Sequence, residues 1–487
     1  MNYTEFAVFV VYLLFMLAIG VYFFFKNKNA GEKGYFLGGR KMGPWVSALS
    51  AGASDMSAWV LMGLPTAIYA VGFGEVWIPV GLAIGYTISW IYEAPRLRKF
   101  SIVANDSITI PQYLTNRFLS KSKALQVICA IVFIVAYTIY SASSIKACGT
   151  LFNTVMGIDA TVAMWIATVI IVGYTFLGGF SAVCWTDFFQ GMLILGAMLL
   201  APIFAGFMLD SAAVAETTTS LPENYWSLFA DWKKVVSGLA WGLGYFGMPH
   251  IIIRYMSIES QKSLKKSAKI GISWTVIIVI AAAFIGIIGR MFLGYSDEIN
   301  NNSLVFIQMV RKIFPSLISG VLLSAVLAAS MSTADSQLLA ASSSFASDVY
   351  KPIFRKDKAG DKEMLWAGRV VVFAIAICAI IIASDPNAGS IMSLVSNAWG
   401  VFGAAFGPAI MLSLFWKRFN FKGAVAGIVV GALVDILWLA FLASTGIYEI
   451  LPGFVAGLIA AVVVSLATKA PEKEVEELFD KAVAYED

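Results

Sequence analysis

A single histidine and four cysteines in 487 residues leave little material for metal or thiol chemistry. Cys129, Cys148, Cys184 and Cys378 lie scattered in apolar stretches without Cys-x-x-Cys spacing, so they read as small hydrophobes. His250 alone cannot build a zinc site, and with no evident acid beside it reads as structural or gate-lining. Charge is equally scarce. Asp, Glu, Lys and Arg make up 13% of the chain, about half of what a soluble domain uses to cover its surface. No block of Lys and Arg stands beside stacking aromatics, which excludes a nucleic-acid surface. No G-x-x-x-x-G-K-[ST] loop is present to cradle ATP phosphates. The first apolar stretch, 6–25, lacks the basic flank and small-residue cleavage site of a signal peptide and reads as a retained span.

What remains is apolar: 59% of residues are hydrophobic, and the mean hydropathy is +0.80. Such a chain must face lipid, so we expect an all-α integral membrane protein. Hydrophobic runs bounded by charge give about thirteen spans. Spans one to seven cover 6–25, 45–71, 72–92, 124–156, 160–176, 182–208 and 235–253. Spans eight to thirteen cover 270–293, 315–346, 364–383, 391–415, 423–442 and 451–467. One transporter domain thus occupies 1–470, followed by a charged tail, 471–487. The tail could form an amphipathic helix through Val475, Leu478, Phe479 and Ala482, and is expected to be solvated.

Cations gather in alternate loops. Lys26, Lys28, Lys33, Arg40 and Lys41 follow span one, and Arg96, Arg98, Lys99, Arg117, Lys121 and Lys123 follow span three. Arg254 and Lys262 to Lys269 follow span seven, and Lys351 to Lys362 follow span nine. The positive-inside rule puts these loops in the cytoplasm, with the N-terminus outside and the C-terminus inside.

Function in a helical bundle lies where polar groups and helix breakers reach membrane depth. Span two carries Ser50, Gly52, Ser54, Asp55 and Ser57, then Gly63 and Pro65. Burying Asp55 costs at least ~2.5–3.5 kcal/mol, which suits a carboxylate that meets a cation, though it could also cap a half-helix. Span seven holds Gly238, Gly242, Gly244, Gly247 and Pro249, which no regular helix sustains without help. Breaks at matching places five spans apart suggest two inverted repeats, 45–208 and 235–415, with one span before them and two behind. In span nine, Ala329, Ser332, Thr333 and Ser336 share one helical face. Hydroxyls and carbonyls there suit an alkali cation, although such faces also pack helices together.

At these segments the chain closely resembles the sodium/solute symporter family. The resemblance rests on residues 36–40, 48–57, 61–65, 241–247, 323–325, 331–333 and 402–408, and it covers nearly the whole chain. It implies a LeuT-type 5+5 inverted-repeat bundle and sodium-driven uptake of L-proline by alternating access. Another small solute, such as pantothenate or a different amino acid, or a proton as coupling ion, remains the alternative. By position, sodium would be held by carbonyls of Ala53, Met56 and Ala329 and hydroxyls of Ser332 and Thr333, with Asp55 as the linked carboxylate. Ser57, Trp59, Tyr140, Trp241, Tyr245, Met248 and Pro249 would form the substrate pocket. Arg40 matches a functional arginine, or serves as a plain cytoplasmic anchor. Met248 stands where proline-carrying members have glutamine, and Asp335 where serine is common. Asp187, Asp335 and Ser336 form a candidate second cation site, the alternative being two acids at the cytoplasmic end hydrogen-bonded to helix termini. Half-helix N-termini at the breaks are expected to attract the substrate carboxylate. The implied partners are proline, sodium and the lipid of a bacterial inner membrane, with no obligatory protein partner evident.

Overall fold

The computed structural model describes residues 2–26, 31–356 and 358–486; Lys28, counted above among the cytoplasmic cations, lies outside them. Helices build the described chain, with an isolated bridge between Met42 and Ile258. Nine helices are long and apolar enough to cross a membrane among the described residues, and the bent pair Trp232–Phe246 and Pro249–Ser257 would make ten. The difference from the expected count lies in interrupted spans. Span two is split into Pro44–Asp55, a π-helical turn Trp59–Gly63, and Leu64–Val71. Span three runs through Trp77–Ile88 and a second π-helical turn, then continues as Ala94–Val103. The charges of Arg96, Arg98 and Lys99 thus sit on helix and not in a loop. Spans five and six meet at a non-helical break at Gly179 (φ 61, ψ −170), a backbone shape that favours glycine, and the apolar helix of span five, Ala160–Gly173, is short.

Small residues set the closest approaches. A Cβ on Gly85 would stand 2.2 Å from the Gly242 carbonyl, and one on Gly238 2.5 Å from Trp77 Cβ, so span three presses directly on the broken part of span seven. Spans twelve (Phe421–Leu442) and thirteen (Ile450–Ala467) pair through Gly423, Gly427 and Gly431 against Gly453, Gly457 and Ala461. Their other faces expose Leu433, Leu437, Phe441, Ile459 and Val463, as lipid contact requires.

Span nine is the most enclosed: Ser316–Ser344 continues as a π-helical stretch, Phe345–Phe354, in one run of 39 residues. It packs against spans one, two, four, six and ten, which explains its near-continuous row of Ala and Ser. Small Ala and Ser side chains let these neighbours approach closely, while Leu323, Leu327 and Met331 fill the wider gaps.

The loops at the cation-rich end are tied together. Arg40 donates to Asp106 (2.8 Å), to the Met256 carbonyl (2.6 Å) and to the Ser107 carbonyl (2.8 Å), and Lys33 also reaches Asp106. Burial pushes the Asp106 carboxyl up, but the hydrogen bonds from Lys33 and Arg40 outweigh it and hold the group below the usual carboxylate range. The tail is not solvated as expected. Lys473–Ala484 is a docked helix that buries Val475, Phe479 and Ala482. Phe479 packs on Phe100 (centroids 5.2 Å apart), with the Arg117 guanidinium 4.9 Å from its ring and that of Arg96 5.9 Å away. Two buried or half-buried arginines at a helical membrane end need a π face, which the tail supplies. Phe479→Ala should loosen this helix by about 3–5 kcal/mol. Limited trypsin digestion should then cut near Lys473 faster than in the native chain, and equal rates would contradict the docking.

Candidate ion and substrate site

At Met56 (φ −78, ψ 71) the backbone leaves the helix, and it resumes at Trp59. The residues between form a tight turn, with Ser57 N–H donating to the Asp55 carbonyl at 2.9 Å. This break lies against span nine. Ser332 Oγ donates to the Ala53 carbonyl at 2.8 Å and lies 3.2 Å from the Ala329 carbonyl. Thr333 Oγ1, one residue on, is buried without a hydrogen-bond partner. Three of the oxygen-bearing groups expected to hold sodium, on Ala53, Ala329 and Ser332, therefore stand at one contact, and the orphaned Thr333 hydroxyl next in sequence fits a hard cation, which takes oxygen ligands. Met56 is buried at the same break.

Asp55 faces the other broken helix. Its Oδ2 accepts from Tyr245 Oη at 2.6 Å, its Oδ1 is buried and unpartnered, and its carbonyl accepts from Trp59 Nε1 at 3.2 Å. Tyr245 ends a tight helical stretch, Trp241–Phe246, before the chain bends by 45° at Gly247 and Met248. The two breaks thus meet through a charge-assisted bond in a water-poor setting, where such bonds are strong.

The aromatic residues expected around the substrate do converge. Trp59 and Trp241 rings lie 6.0 Å apart, and Trp241 stacks on Trp399 at 6.3 Å and touches Tyr448 at 5.0 Å. Trp399 Nε1 donates to the Trp241 carbonyl at 2.8 Å. Tyr245 packs edge-on against Tyr86 (5.0 Å) and Trp399 (5.1 Å). Tyr140 and His250 rings are 6.3 Å apart, and the Tyr140 hydroxyl is buried without a hydrogen-bond partner. Ser57, Met248 and Pro249 are all buried. A cavity of about 440 Å³ opens on one end of the bundle, lined by Glu75, Lys234, Ser393, Tyr448 and Glu449, and Trp241 reaches into it.

Three features bear on the sequence reading: the first and third depart from it, and the second, His250, keeps the structural role expected of it. First, the N-terminus of Pro249–Ser257 has no free donor to offer a carboxylate. Pro249 has no N–H, the His250 N–H donates to Tyr137 Oη at 2.9 Å, and Ile251 and Ile252 N–H groups return to the Met248 carbonyl. Second, His250 is a positioning residue between the breaks: Nε2 is 3.1 Å from the Ser54 carbonyl and Nδ1 3.3 Å from Tyr137 Oη. A carbonyl can only accept, so the proton belongs on Nε2 and Tyr137 donates to Nδ1.

Third, the expected second cation site already contains a fixed cation. Arg254, which sequence counted with the loop, is 1% exposed. It donates to Ser50 Oγ (3.1 Å), Asp187 Oδ2 (3.2 Å), Ser336 Oγ (2.6 Å) and the His250 carbonyl. Asp187 and Ser336 are brought together, with Asp335 bonded to Ser336 at 3.2 Å, but around a guanidinium. Burial of an arginine is not readable from a cationic loop. The hint lay in its spacing of one helical turn after His250 on a face of Ile and Tyr. Trp399, Tyr86 and Tyr448 were also missed, since lone aromatics in spans usually face lipid.

Residues 35–431 match the model of the sodium:solute symporter family. The chain belongs to that family. A high-affinity proline transporter of Bacillus subtilis (strain 168) is 43% identical over 470 residues, covering 96% of this chain and 98% of that protein. A sodium/proline symporter of Staphylococcus aureus (strain USA300 / TCH1516) is 41% identical over 487 residues, covering 98% and 95%. In fold the chain is similar to a sodium-coupled sialic acid symporter solved in a substrate-bound outward-open state, with a TM-score of 0.79 at 22% identity, covering 96% of this chain and 99% of that one. The symporter is thus an all-α, multi-pass membrane protein of the LeuT type and a secondary transporter, not an enzyme, with sodium as the ion it moves.

Proposed function

We propose that this symporter couples inward sodium flow to uptake of L-proline by alternating access. The observation that carries the proposal is the bond from Ser332 to the Ala53 carbonyl beside the unpartnered Thr333 hydroxyl. A sodium ion coordinated there ties span two to span nine. Because Asp55 and the Tyr245 hydroxyl lie one turn away, the ion also orders the pocket between both breaks. Proline suits that pocket: its ring and ammonium meet Trp59, Tyr140, Trp241 and Tyr245. Its carboxylate finds no free N–H at the start of Pro249–Ser257, and the unpartnered Tyr140 hydroxyl is a donor for it. The named relatives support proline over pantothenate or another amino acid.

We place the first repeat at 45–208 and the second at 235–415, with spans one, twelve and thirteen outside them. The cation-rich, tied end is cytoplasmic and the cavity above Trp241 faces outward, in a bacterial plasma membrane. In this conformation the arginine-laced end is shut, and the outer route ends on Trp241. Ion and substrate then release the inner ties by favouring a state in which one bundle rocks on the other. One sodium entering down ~100 mV releases about 2.3 kcal/mol, and a tenfold gradient adds about 1.4 kcal/mol. These terms support accumulation of a few hundredfold.

Uptake of a labelled substrate panel into proteoliposomes, with sodium or potassium outside, tests this. Proline should enter fastest, and only with sodium. Equal uptake in potassium would end the sodium coupling, and a faster rival solute would end the proline assignment.

A further inference from the structure

A pair of carboxylates outside the substrate pocket has no counter-charge in view. Asp435, on span twelve, is fully buried, and neither of its oxygens has a hydrogen-bond partner. Glu449, just before span thirteen, is 7% exposed and lines the outer cavity. Both point at Gly400 of span eleven. A Cβ there would lie 2.8 Å from Asp435 Oδ1 and 3.3 Å from Glu449 Cγ. Gly453 makes room from the opposite side, where a Cβ would be 2.9 Å from Asp435 Cβ. Lys234 lines the same cavity but is paired with Glu75 at 2.8 Å.

Ordinary packing does not explain this arrangement. A buried carboxylate with both oxygens unmatched is strongly unfavourable, and a second acid nearby makes it worse. The two groups are not joined by a directly shared proton, since such a proton would make Asp435 a hydrogen-bonding partner of Glu449. A small cation between carboxylate oxygens relieves both problems, and oxygen-only ligands select a hard ion.

We propose that Asp435 and Glu449 bind a monovalent metal cation, sodium, at a site separate from the contact of spans two and nine. The ion enters from the outer cavity past Glu449. The site is mechanically joined to the substrate pocket: Trp399, beside Gly400, donates to the Trp241 carbonyl, and Tyr448, beside Glu449, donates to the Ser396 carbonyl at 2.7 Å while packing on Trp241. Occupancy therefore stiffens the corner where span seven breaks, and favours the stacked position of Trp241.

Radioactive sodium binding to the full-length protein in lipid nanodiscs, without proline, tests the site. The native protein should bind two equivalents. Asp435→Asn should lose one and keep the other, and so should Glu449→Gln, whose position at the cavity mouth makes it the safer fold. Gly400→Ala should lose the same equivalent with both charges intact. Thr333→Ala should lose the other, so failure of the primary site reads out independently. Undiminished sodium binding in both Asp435→Asn and Glu449→Gln would overturn the proposal. So would undiminished binding with a changed pH profile of proline affinity, which would make the pair a proton site.

Discussion

Asp55→Asn is expected to lower sodium-driven proline uptake roughly 100-fold at limiting sodium. The exchange keeps the size of the side chain but removes the carboxylate that stands two residues after Ala53 and accepts from Tyr245 at 2.6 Å. Loss of one charge-assisted interaction in a buried setting is worth about 3 kcal/mol, or roughly 100-fold in ion affinity. Tyr245→Phe removes only the partner hydroxyl and should cost about 1 kcal/mol. Uptake measured against sodium concentration separates the two: Asp55→Asn should shift the half-saturating sodium far to the right, Tyr245→Phe slightly. An unshifted sodium dependence in Asp55→Asn would mean that its carboxylate serves only the helix break.

Arg254→Ala should be the most destabilising single change in the bundle. It strips Asp187 of its ion pair and removes a donor from Ser50, Ser336 and the His250 carbonyl together. An uncompensated buried carboxylate costs about 3–5 kcal/mol. Arg254→Lys should recover little, because an ammonium cannot span four partners held by a planar fork. The double change Arg254→Met with Asp187→Leu should recover much of the loss, since no charge is left behind. Thermal unfolding of the four proteins in detergent gives the order directly. If Arg254→Ala melts with the native protein, the guanidinium is not the cation that Asp187 needs, and a metal ion returns as the candidate there.

The membrane class and the sites of both breaks were legible because bilayer chemistry is strict. Asp55 and five glycines or prolines in span seven are costly there and stand out against an apolar background. The hydroxyl face of span nine was legible from helical spacing, and one of its hydroxyls, Ser332, donates to the Ala53 carbonyl. Burial of cations was not. Arg254, Arg98 and Arg117 look like loop anchors in sequence, yet each is buried against acceptors from far along the chain, the Asp187 carboxylate for Arg254 and the Ile258 and Ser413 carbonyls for the other two. Nor could spacing reveal that Tyr137 would cap the His250 N–H, because that bond joins residues 113 positions apart. The tail failed for the same reason: Phe479 reads as solvated until Phe100, Arg96 and Arg117 are placed around it.

Equilibrium proline binding to Thr333→Ala and to the native protein, titrated with sodium, probes the central contact most directly. The hydroxyl is buried, makes no hydrogen bond, and touches neither aromatic wall of the pocket by any bond seen here. The native protein should bind proline more tightly as sodium rises, while the variant should gain far less affinity over the same sodium range. A variant whose affinity climbs with sodium as steeply as the native protein's would place the driving ion elsewhere.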